Sequence, residues 1–340
     1  MDRSLGGRLR RGAGALAVDS FFRTASRLGK LHPRARPDRH SVEVVRDLPY
    51  SPTGRSEHHL DVYRPKHRAG PLPVVLYVHG GGFRILSKDT HWVMGLAFAR
   101  AGYLVFNISY RLAPKHRFPA AVEDCAAAYE WVCDHAERFG GDLDRLVFAG
   151  ESAGANLVSA LTVMSCYRRN EPWARRVFDR GVVPRAWLPY CGMLQVSDGQ
   201  RFKRRKPKLS TFINDRLLEV PAAYLGPDPE RRYGPTLDLA DPLLVLERDE
   251  APARPLPPCL ATVGTADPLL DDTRRLERAL RQRGAACEAI YYPREVHAFH
   301  AMVWREQARR CWRDTFRFLD RHLEVGDGVA RRVADGAEVG

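Results

Sequence analysis

The stretch Gly150-Glu151-Ser152-Ala153-Gly154 decides how this sequence is interpreted. The apolar residues 146–149 lead into it, and the helix-forming residues 155–161 follow it. A serine between a strand and a helix, with glycine two positions to either side, is typical of a nucleophile elbow, a tight turn that exposes the serine hydroxyl. The pattern Gly-x-Ser-x-Gly occurs by chance in roughly one chain in ten of this length, so the interpretation depends on residues elsewhere in the chain.

Length and composition describe a globular chain. Its 340 residues are 44% hydrophobic and suffice for one large α/β domain or two small ones. No stretch approaches about 18 uncharged apolar residues, so no membrane span is predicted, and the apolar run 13–18 is too short for the core of a signal peptide. The seven cysteines form no CxxC pair and lie mostly in apolar segments, as reduced core residues do. We therefore expect a cytoplasmic protein with no metal site and no cofactor.

Two segments carry the whole net charge of +13. Residues 1–40 hold ten Lys and Arg against three Asp, and residues 201–208 hold six Lys and Arg. A nucleic-acid-binding domain would combine such a basic surface with a recognition motif, and the sequence contains none. No nucleic-acid partner is therefore predicted.

Residues 15–30 have the periodicity of an amphipathic helix. One face carries Val18, Phe21, Phe22, Ala25 and Leu28, and the other carries Asp19, Arg23, Arg27 and Lys30. Such a helix can bind weakly to an anionic membrane surface. The alternatives are that its apolar face packs against the protein, and that the basic segments only favour solubility.

Strands and helices alternate along most of the chain. The predicted strands are 42–48, 59–63, 73–78, 103–108, 146–149, 182–188, 258–263 and 287–292, and the predicted helices between and after them are 91–101, 118–138, 155–161, 269–283 and 301–323. This alternation predicts a mostly parallel central sheet with helices on both faces, opened by an antiparallel pair. Residues 190–240, rich in Arg, Lys and Pro, contain one helical piece at 213–224 and predict an insertion.

In open parallel sheets, functional side chains gather at the carboxyl ends of the strands, and this rule selects an acid to accompany Ser152. Asp267 directly follows a predicted buried strand. Asp241 lies in the same tripeptide, Asp-Pro-Leu, but precedes an apolar stretch instead of ending one. Asp271 and Asp272 fall a turn into the next helix, where helix caps or solvated charges are expected. Asp267 is therefore the predicted acid.

The predicted base is His297, one of twelve histidines, because it comes just after the strand 287–292. The thirty residues from Asp267 to His297 accommodate one helix and one strand, and a right-handed crossover brings both residues to the same sheet edge. His300 is the competing candidate, with a helix cap as its alternative role. Surface positions are predicted for His58, His59, His116 and His322.

Acyl transfer by serine also requires donors for the developing oxyanion. Gly81 and Gly82 follow a buried strand and can present backbone N–H groups with no side chain in the way. Ala153 N–H, just past the serine, is the third predicted donor. A phosphate-binding loop is the alternative for this glycine run, but the sequence contains neither Gly-Lys-Ser/Thr nor Gly-x-Gly-x-x-Gly at a helix start.

Six blocks of sequence follow one another in a recognisable order. They are His79-Gly80-Gly81-Gly82-Phe83, Tyr110-Arg111-Leu112-Ala113-Pro114, Phe118-Pro119-Ala120-Ala121 with Glu123-Asp124-Cys125, Gly150-Glu151-Ser152-Ala153-Gly154, Asp267-Pro268-Leu269 and His297-Ala298-Phe299. In these blocks, over about residues 45–323, the chain resembles the hormone-sensitive-lipase-like family of carboxylesterases. The resemblance implies an α/β-hydrolase fold with a helical cap. It also implies a triad of Ser152, Asp267 and His297, in the chain order of the α/β hydrolases, that needs neither cofactor nor metal.

Three positions depart from the family pattern. Glu151 stands where Asp or Thr is usual, Lys115 where Glu is usual, and Ala155 where Gly is usual. None of these changes affects the proton-transfer residues. Phe83 and Glu151 are predicted to contact substrate, and for Glu151 the alternative role is to hold the elbow by hydrogen bonds.

The resemblance also divides the chain. It implies an N-terminal cap arm at 1–45, a hydrolase core at 46–186 and 239–325, and a cap insertion at 187–238. Both basic segments then fall in the cap. The small, polar tail at 326–340 is expected to be disordered.

The sequence thus predicts a serine hydrolase that cleaves small-molecule carboxylic esters through an acyl-enzyme. The same triad acting on amides, or transferring the acyl group to another acceptor, is an alternative that nothing in the sequence separates. A hydrolase-fold binding protein without turnover is a second alternative, but such proteins usually lack a triad member and all three residues are present here. Acyl chain length, alcohol and oligomeric state are not predicted.

Overall fold

The computed structural model describes residues 5–68, 70–205 and 208–323. Within the first helix, side chains are described at residues 14, 17 and 19–31 only. The tail at 326–340, predicted to be disordered, lies outside the described residues.

A sheet of eight strands forms the centre of the fold, in the spatial order β1-β2-β4-β3-β5-β6-β7-β8. The strands are β1 (Val42–Pro49), β2 (His59–Pro65), β3 (Leu72–Val78), β4 (Leu104–Ile108), β5 (Gly141–Glu151), β6 (Ala186–Tyr190), β7 (Cys259–Gly264) and β8 (Cys287–Tyr292). β2 pairs antiparallel with β1 and β4, and all other neighbours are parallel. The predicted mostly parallel sheet with an antiparallel opening is therefore confirmed.

Helices cover both faces of this sheet. Those of the described chain are α1 (Leu5–Leu31), α2 (Trp92–Arg100), α3 (Ala120–His135), α4 (Ala153–Cys166), α5 (Pro172–Asp179), α6 (Arg201–Arg205), α7 (Thr211–Tyr224), α8 (Pro229–Tyr233), α9 (Pro242–Glu247), α10 (Leu270–Gln282) and α11 (Glu306–Leu323). Val74 of β3 packs into one apolar cluster with α3 and α4, whereas its neighbour Val75 packs into the other with α2 and α11. Successive side chains of a strand point to opposite faces, so this fully buried strand shows that the sheet is covered on both sides.

Several element boundaries differ from the sequence prediction. The strand predicted at 182–188 begins only at Ala186, because Pro184 has no N–H to donate to a strand ladder. Residues 299–301 form a 3₁₀ turn, so the last helix begins at Glu306 and not at 301. Helices α5 and α9, of 8 and 6 residues, lie outside the predicted elements.

Strand β6 lies inside the sheet, between β5 and β7. The cap insertion predicted at 187–238 therefore cannot begin before Cys191, because residues 187–190 belong to this core strand. The remaining segment contains α6, α7 and α8, where the sequence predicts one helical piece at 213–224. With this correction, the division into cap and core stays a prediction.

Helix α7 connects the loop after β3 with the N-terminal helix. The ring of Tyr224 stacks on that of Phe83, with the two centroids 3.9 Å apart. Arg216 of the same helix packs against Gly14 of α1, where an added Cβ would lie 2.6 Å from the guanidinium. These contacts place α7 between the N-terminal arm and the core.

Helix α1 turns its polar side toward the core. Asp19 Oδ1 accepts a hydrogen bond from Leu86 N at 3.3 Å, and Ser26 Oγ accepts one from Trp92 Nε1 at 3.1 Å. The exposed large apolar side chains of this helix are Phe21 (66%), Phe22 (42%), Leu28 (63%) and Leu31 (76%). The alternative in which the apolar face packs against the protein is therefore wrong for these side chains.

A buried ion pair fixes part of the second basic segment inside the protein. Arg201 Nη2 lies 2.5 Å from Asp272 Oδ2, which also accepts a hydrogen bond from Leu194 N at 2.9 Å. Both charged side chains are buried, and Asp272 is completely so. The expectation that Asp272 is a helix cap or a solvated charge is wrong, because the first turn of α10 faces this segment and not solvent.

We expect Asp272→Asn to lower the free energy of unfolding by about 3 kcal/mol or more, because it leaves the Arg201 charge buried without its counter-charge. Urea denaturation followed by circular dichroism measures the change. Asp271→Asn is the matched control, since Asp271 pairs with Arg205 at a partly exposed position and such pairs contribute at most about 1 kcal/mol. Equal effects of the two substitutions would contradict the energetic importance of the buried pair.

Candidate active site

Ser152 lies at the turn between β5 and α4. Its backbone has φ 54° and ψ −111°, a region that costs a non-glycine residue about 1–3 kcal/mol and is typical of an elbow that exposes its side chain. Close contact with β3 requires the glycine that follows, because a Cβ on Gly154 would lie 2.0 Å from Val78 O. The turn is thus held directly against the neighbouring strand.

Backbone hydrogen bonds fix this turn from the side of β6. Ser152 N donates to Tyr190 O at 2.9 Å, and Met193 N donates to Ser152 O at 3.2 Å. Asn156, one turn into α4, donates from Nδ2 to Met193 O at 2.9 Å and to Ala240 O at 2.8 Å. The position of the serine therefore depends on the sheet and on the segment that leads to α9.

The structure brings the three predicted triad residues into one chain of hydrogen bonds. His297 Nε2 lies 2.9 Å from Ser152 Oγ, and His297 Nδ1 lies 2.8 Å from Asp267 Oδ2. Each residue follows the carboxyl end of a parallel strand, which is why residues 145 and 30 positions apart meet here. Asp267 Oδ1 also accepts a hydrogen bond from Leu269 N at 2.8 Å, which orients the carboxylate.

Charge and burial set the basicity of His297. Asp267 is fully buried, whereas 36% of the His297 side chain is exposed. Burial would lower the pKa of His297, but the Asp267 carboxylate raises it more, and the net pKa lies well above the ordinary value of 6.5. Neutral His297 with its proton on Nδ1 can accept a proton from Ser152 at Nε2.

The glycine loop after β3 carries two of the predicted oxyanion donors. Gly81 has φ 113°, and a Cβ there would lie 2.2 Å from Ile85 O, so this turn requires glycine. Arg84 N and Ile85 N both donate to Gly81 O and close the turn. Within the described residues, the N–H groups of Gly81 and Gly82 donate no backbone hydrogen bond. Ala153 N–H, the third predicted donor, belongs to the first turn of α4, where helical amides have no partner within the helix.

His79 supports the same loop from inside the core. Its Nδ1 lies 2.6 Å from Gly80 O, and its ring stacks on that of Tyr110 with the centroids 4.2 Å apart. Tyr110 Oη donates to His79 O at 2.9 Å. Burial lowers the pKa of His79 to about 3, so the ring stays neutral and has a structural role.

Asp241, the competing acid, lies in a different environment. Its Oδ1 accepts hydrogen bonds from the backbone N–H groups of Val196 and Ser197, the latter at 3.0 Å. The side chain is almost completely buried, and burial raises its pKa. Asp241 thus holds the start of the segment after β6, while Asp267 is the carboxylate beside His297.

Two histidines differ from their predicted surroundings. His300 is buried with Nε2 at 2.9 Å from Glu151 Oε2, so its alternative as a helix cap is wrong. His58, predicted at the surface, is buried with Nε2 at 3.1 Å from Asp124 Oδ1. Both bind carboxylates far away in sequence, which a local pattern does not reveal.

The two predicted substrate contacts are buried in this structure. Phe83 has no exposed surface and stacks on Tyr224 of α7, and its contact with substrate stays a prediction. Glu151 is 6% exposed and lies between His91 and His300. Its contacts favour the alternative in which it holds the elbow by hydrogen bonds.

Cys191 is a neighbour of the site that the sequence analysis missed. Its Sγ and the donor atoms of Asp267 and His297 lie within 4.8 Å of one another, a grouping that a metal ion could use. Such an ion would compete with the hydrogen bond between His297 and Asp267 and with the thiol proton, because burial raises the pKa of Cys191. Cys191 directly follows β6, so the strand-end rule that selected Asp267 and His297 could also have selected it.

Comparison with known proteins places the chain among enzymes of one fold. A family model described as alpha/beta hydrolase fold matches residues 75–301. The chain is 31% identical over 281 residues to esterase LipI of Mycobacterium tuberculosis. This match covers 79% of the chain and 76% of the esterase. It is 33% identical over 246 residues to carboxylesterase NlhH of the same organism, covering 70% of each.

A solved structure has the same architecture. The esterase of Pyrobaculum calidifontis superposes with a TM-score of 0.65 at 25% identity, over 96% of this chain and 94% of that one. This match covers more of the chain than the family model does.

Proposed function

The chain belongs to the alpha/beta hydrolase family, as a hormone-sensitive-lipase-like carboxylesterase, and from this premise we propose that it cleaves esters with Ser152 as nucleophile, His297 as base and Asp267 as the acid that orients the base. The observation that carries this proposal is the continuous hydrogen-bonded chain at 2.9 Å and 2.8 Å from Ser152 through His297 to Asp267. The family membership predicted from the sequence is confirmed.

Acylation begins when Ser152 Oγ attacks the ester carbonyl. His297 Nε2 takes the hydroxyl proton, and the resulting imidazolium is stabilised by Asp267 at Nδ1. The N–H groups of Gly81, Gly82 and Ala153 are the proposed donors to the oxyanion of the tetrahedral intermediate. His297 then gives the proton to the leaving alcohol, and the acyl group stays on Ser152.

Deacylation repeats the same steps with water as the nucleophile. His297 accepts a proton from the water, the second tetrahedral intermediate uses the same three donors, and the acid leaves as Ser152 regains its proton. Hydrolysis of amides and transfer of the acyl group to another acceptor remain alternatives, because they use the same residues. Matched ester and amide substrates distinguish the first alternative, and product analysis with an added alcohol distinguishes the second.

We expect Ser152→Ala to reduce ester turnover by about 10⁴-fold or more, because the nucleophile is removed while the fold stays intact. Labelling by a fluorophosphonate should be lost in parallel. Ser159→Ala is the matched control, since Ser159 is buried in α4, the helix that follows Ser152, and its hydroxyl donates to Ala155 O. A labelled second residue in Ser152→Ala, at full stoichiometry, would overturn the assignment.

We expect kcat/KM to rise with pH through the titration of His297, because only its neutral form can accept the serine proton. The Asp267 carboxylate raises the pKa of His297, so the midpoint should lie above the ordinary value of about 6.5, and activity should be lost as pH falls through it. A pH series with a p-nitrophenyl ester measures the midpoint, and thermal unfolding at each pH controls for stability. A midpoint below 6.5, with chemistry limiting the rate, would contradict this environment for the base.

The exposed side of α1 favours a second property, association with an anionic lipid surface. Phe21, Leu28 and Leu31 lie seven and three residues apart, so they share one face of the helix, and we call them the apolar stripe. All three are exposed. No helix of the described chain is long and apolar enough to cross a bilayer.

Positive charge surrounds this apolar stripe. Arg27 is exposed on the helix beside it, and exposed Arg34, Arg36 and Arg39 follow within eight residues of its last member. An apolar face flanked by cations binds anionic headgroups by charge and the acyl boundary by burial. This combination fits an anionic lipid surface better than a second copy of the chain, because two copies with a net charge of +13 each would repel one another.

We expect the protein to co-sediment with vesicles that contain phosphatidylserine and not with pure phosphatidylcholine vesicles, because the attraction requires negative headgroups. Binding should weaken from 0.1 M to 1 M salt, as the Debye length shortens from about 10 Å to about 3 Å. Replacement of Phe21, Leu28 and Leu31 by Ser should abolish it, whereas Trp304→Ser, at another exposed apolar side chain, should not. Equal binding to both lipids, or a dimer that the stripe variant dissociates, would overturn the proposal.

A further inference from the structure

The carboxylate of Glu151 lies where three segments of the active site meet. Glu151 immediately precedes Ser152, and its side chain is buried. It contacts the start of the glycine loop after β3, the loop that carries His91, and the segment that carries His297 and His300. One side chain therefore contacts the surroundings of the nucleophile, of the oxyanion donors and of the base.

Toward the oxyanion donors, Glu151 packs directly against Gly80. A Cβ at Gly80 would lie 2.9 Å from Glu151 Oε1 and 3.1 Å from Glu151 O, so a larger residue there would crowd this contact. His91 Nε2 lies 2.8 Å from the same Oε1, and its ring centroid is 5.4 Å from that of His79. A displaced carboxylate would therefore disturb the backbone that leads into the oxyanion loop.

Toward the base, Glu151 Oε2 lies 2.9 Å from His300 Nε2. His300 is buried and stacks on Tyr190 with the centroids 4.8 Å apart. It is three residues past His297, and Ala298 between them has φ 55°. A short, tightly turned segment therefore joins His300 to His297.

Glu151 is ionised between its two histidines. Burial would raise its pKa, but His91 and His300 lower it more, and the net pKa lies well below the ordinary value. An ionised carboxylate only accepts hydrogen bonds, so His91 donates from Nε2 to Oε1, while His300 Nε2 lies close to Oε2 without the geometry of a hydrogen bond. Each carboxylate oxygen faces one histidine nitrogen, whereas a glutamine amide at the same place presents one acceptor and one donor group.

We propose that Glu151 is a positioning residue that holds the oxyanion loop and the His297 segment in place around Ser152. It acts through His91, Gly80 and His300 and touches neither the substrate nor the transferred proton. The inference rests on the proposed function, because the groups it positions are those of the proposed triad and oxyanion hole.

The test is Glu151→Gln, which keeps the size of the side chain and removes one acceptor. A misplacement of reacting groups by about 1 Å costs about 100-fold in rate, so we expect kcat for a p-nitrophenyl ester to fall about 10- to 100-fold. KM should change by less than about twofold, since no substrate contact is removed. Fluorophosphonate labelling of Ser152 should slow in parallel and still reach full stoichiometry.

Asp124→Asn is the matched control, because it makes the same change in another buried carboxylate. Asp124 accepts hydrogen bonds from His58 and Arg111, outside the three segments that Glu151 joins. A loss of stability alone lowers the folded fraction in both variants, and labelling stoichiometry corrects for that fraction. Per folded molecule, Asp124→Asn should retain kcat within about twofold. Equal kcat losses in the two variants, or none in Glu151→Gln, would overturn the proposal.

His300→Phe tests the same contact from its other side while retaining a ring to stack on Tyr190. We expect it to lower kcat, and we expect the double variant with Glu151→Gln to be about as slow as the slower single variant, because both break one connection. Multiplied effects would mean that the two residues act independently and would overturn the inference. Retained turnover in Ser152→Ala would instead refute the proposed triad, so the two failures are distinguishable.

Discussion

The close approach of the elbow to strand β3 is the constraint on which the rest of the active site depends. A Cβ on Gly154 would lie 2.0 Å from Val78 O, and one on Gly150 would lie 2.6 Å from Gly154 O. Only glycine backbone permits this contact, which sets Ser152 beside the end of β3. The residues that follow β3 form the glycine loop, so nucleophile and proposed oxyanion donors become neighbours. A side chain at either glycine would push Ser152 away from β3 and so from Asp267 and His297, which follow β7 and β8.

The sequence predicted this arrangement because its decisive residues follow apolar strands. Ser152, Asp267 and His297 lie one, three and five residues past the ends of β5, β7 and β8, and the carboxyl ends of parallel strands share one edge of the sheet. Asp241 was separable from Asp267 by the same rule, since it precedes an apolar stretch. Cys191 also directly follows a strand and lies beside Asp267 and His297. Position after a strand therefore predicts which residues lie near the site but not what each of them does there.

The rest could not be predicted because it depends on partners distant in sequence. Asp272 is buried against Arg201, 71 residues away, and nothing near Asp272 indicates this. His58 is buried against Asp124, 66 residues away. Helical periodicity showed that α1 has two unlike faces, but it does not show which face meets the protein. The polar side of α1 meets the protein, because Asp19 accepts a hydrogen bond from Leu86 N and Ser26 accepts one from Trp92 Nε1.

Side chains of helix α7 pack against the glycine loop that carries the proposed oxyanion donors. Tyr224 stacks on Phe83, and Val220 lies so close to Gly82 that a Cβ there would be 2.9 Å from its Cγ2. Among the described residues, the backbone hydrogen bonds of Ser152 are to Tyr190, Met193 and Asn156, and none of these residues belongs to α7. Replacing residues of α7 can therefore reshape the space beside the oxyanion donors without moving Ser152. The proposed triad and the side chains that line this space therefore lie on separate pieces of chain, so substitutions in one need not alter the other.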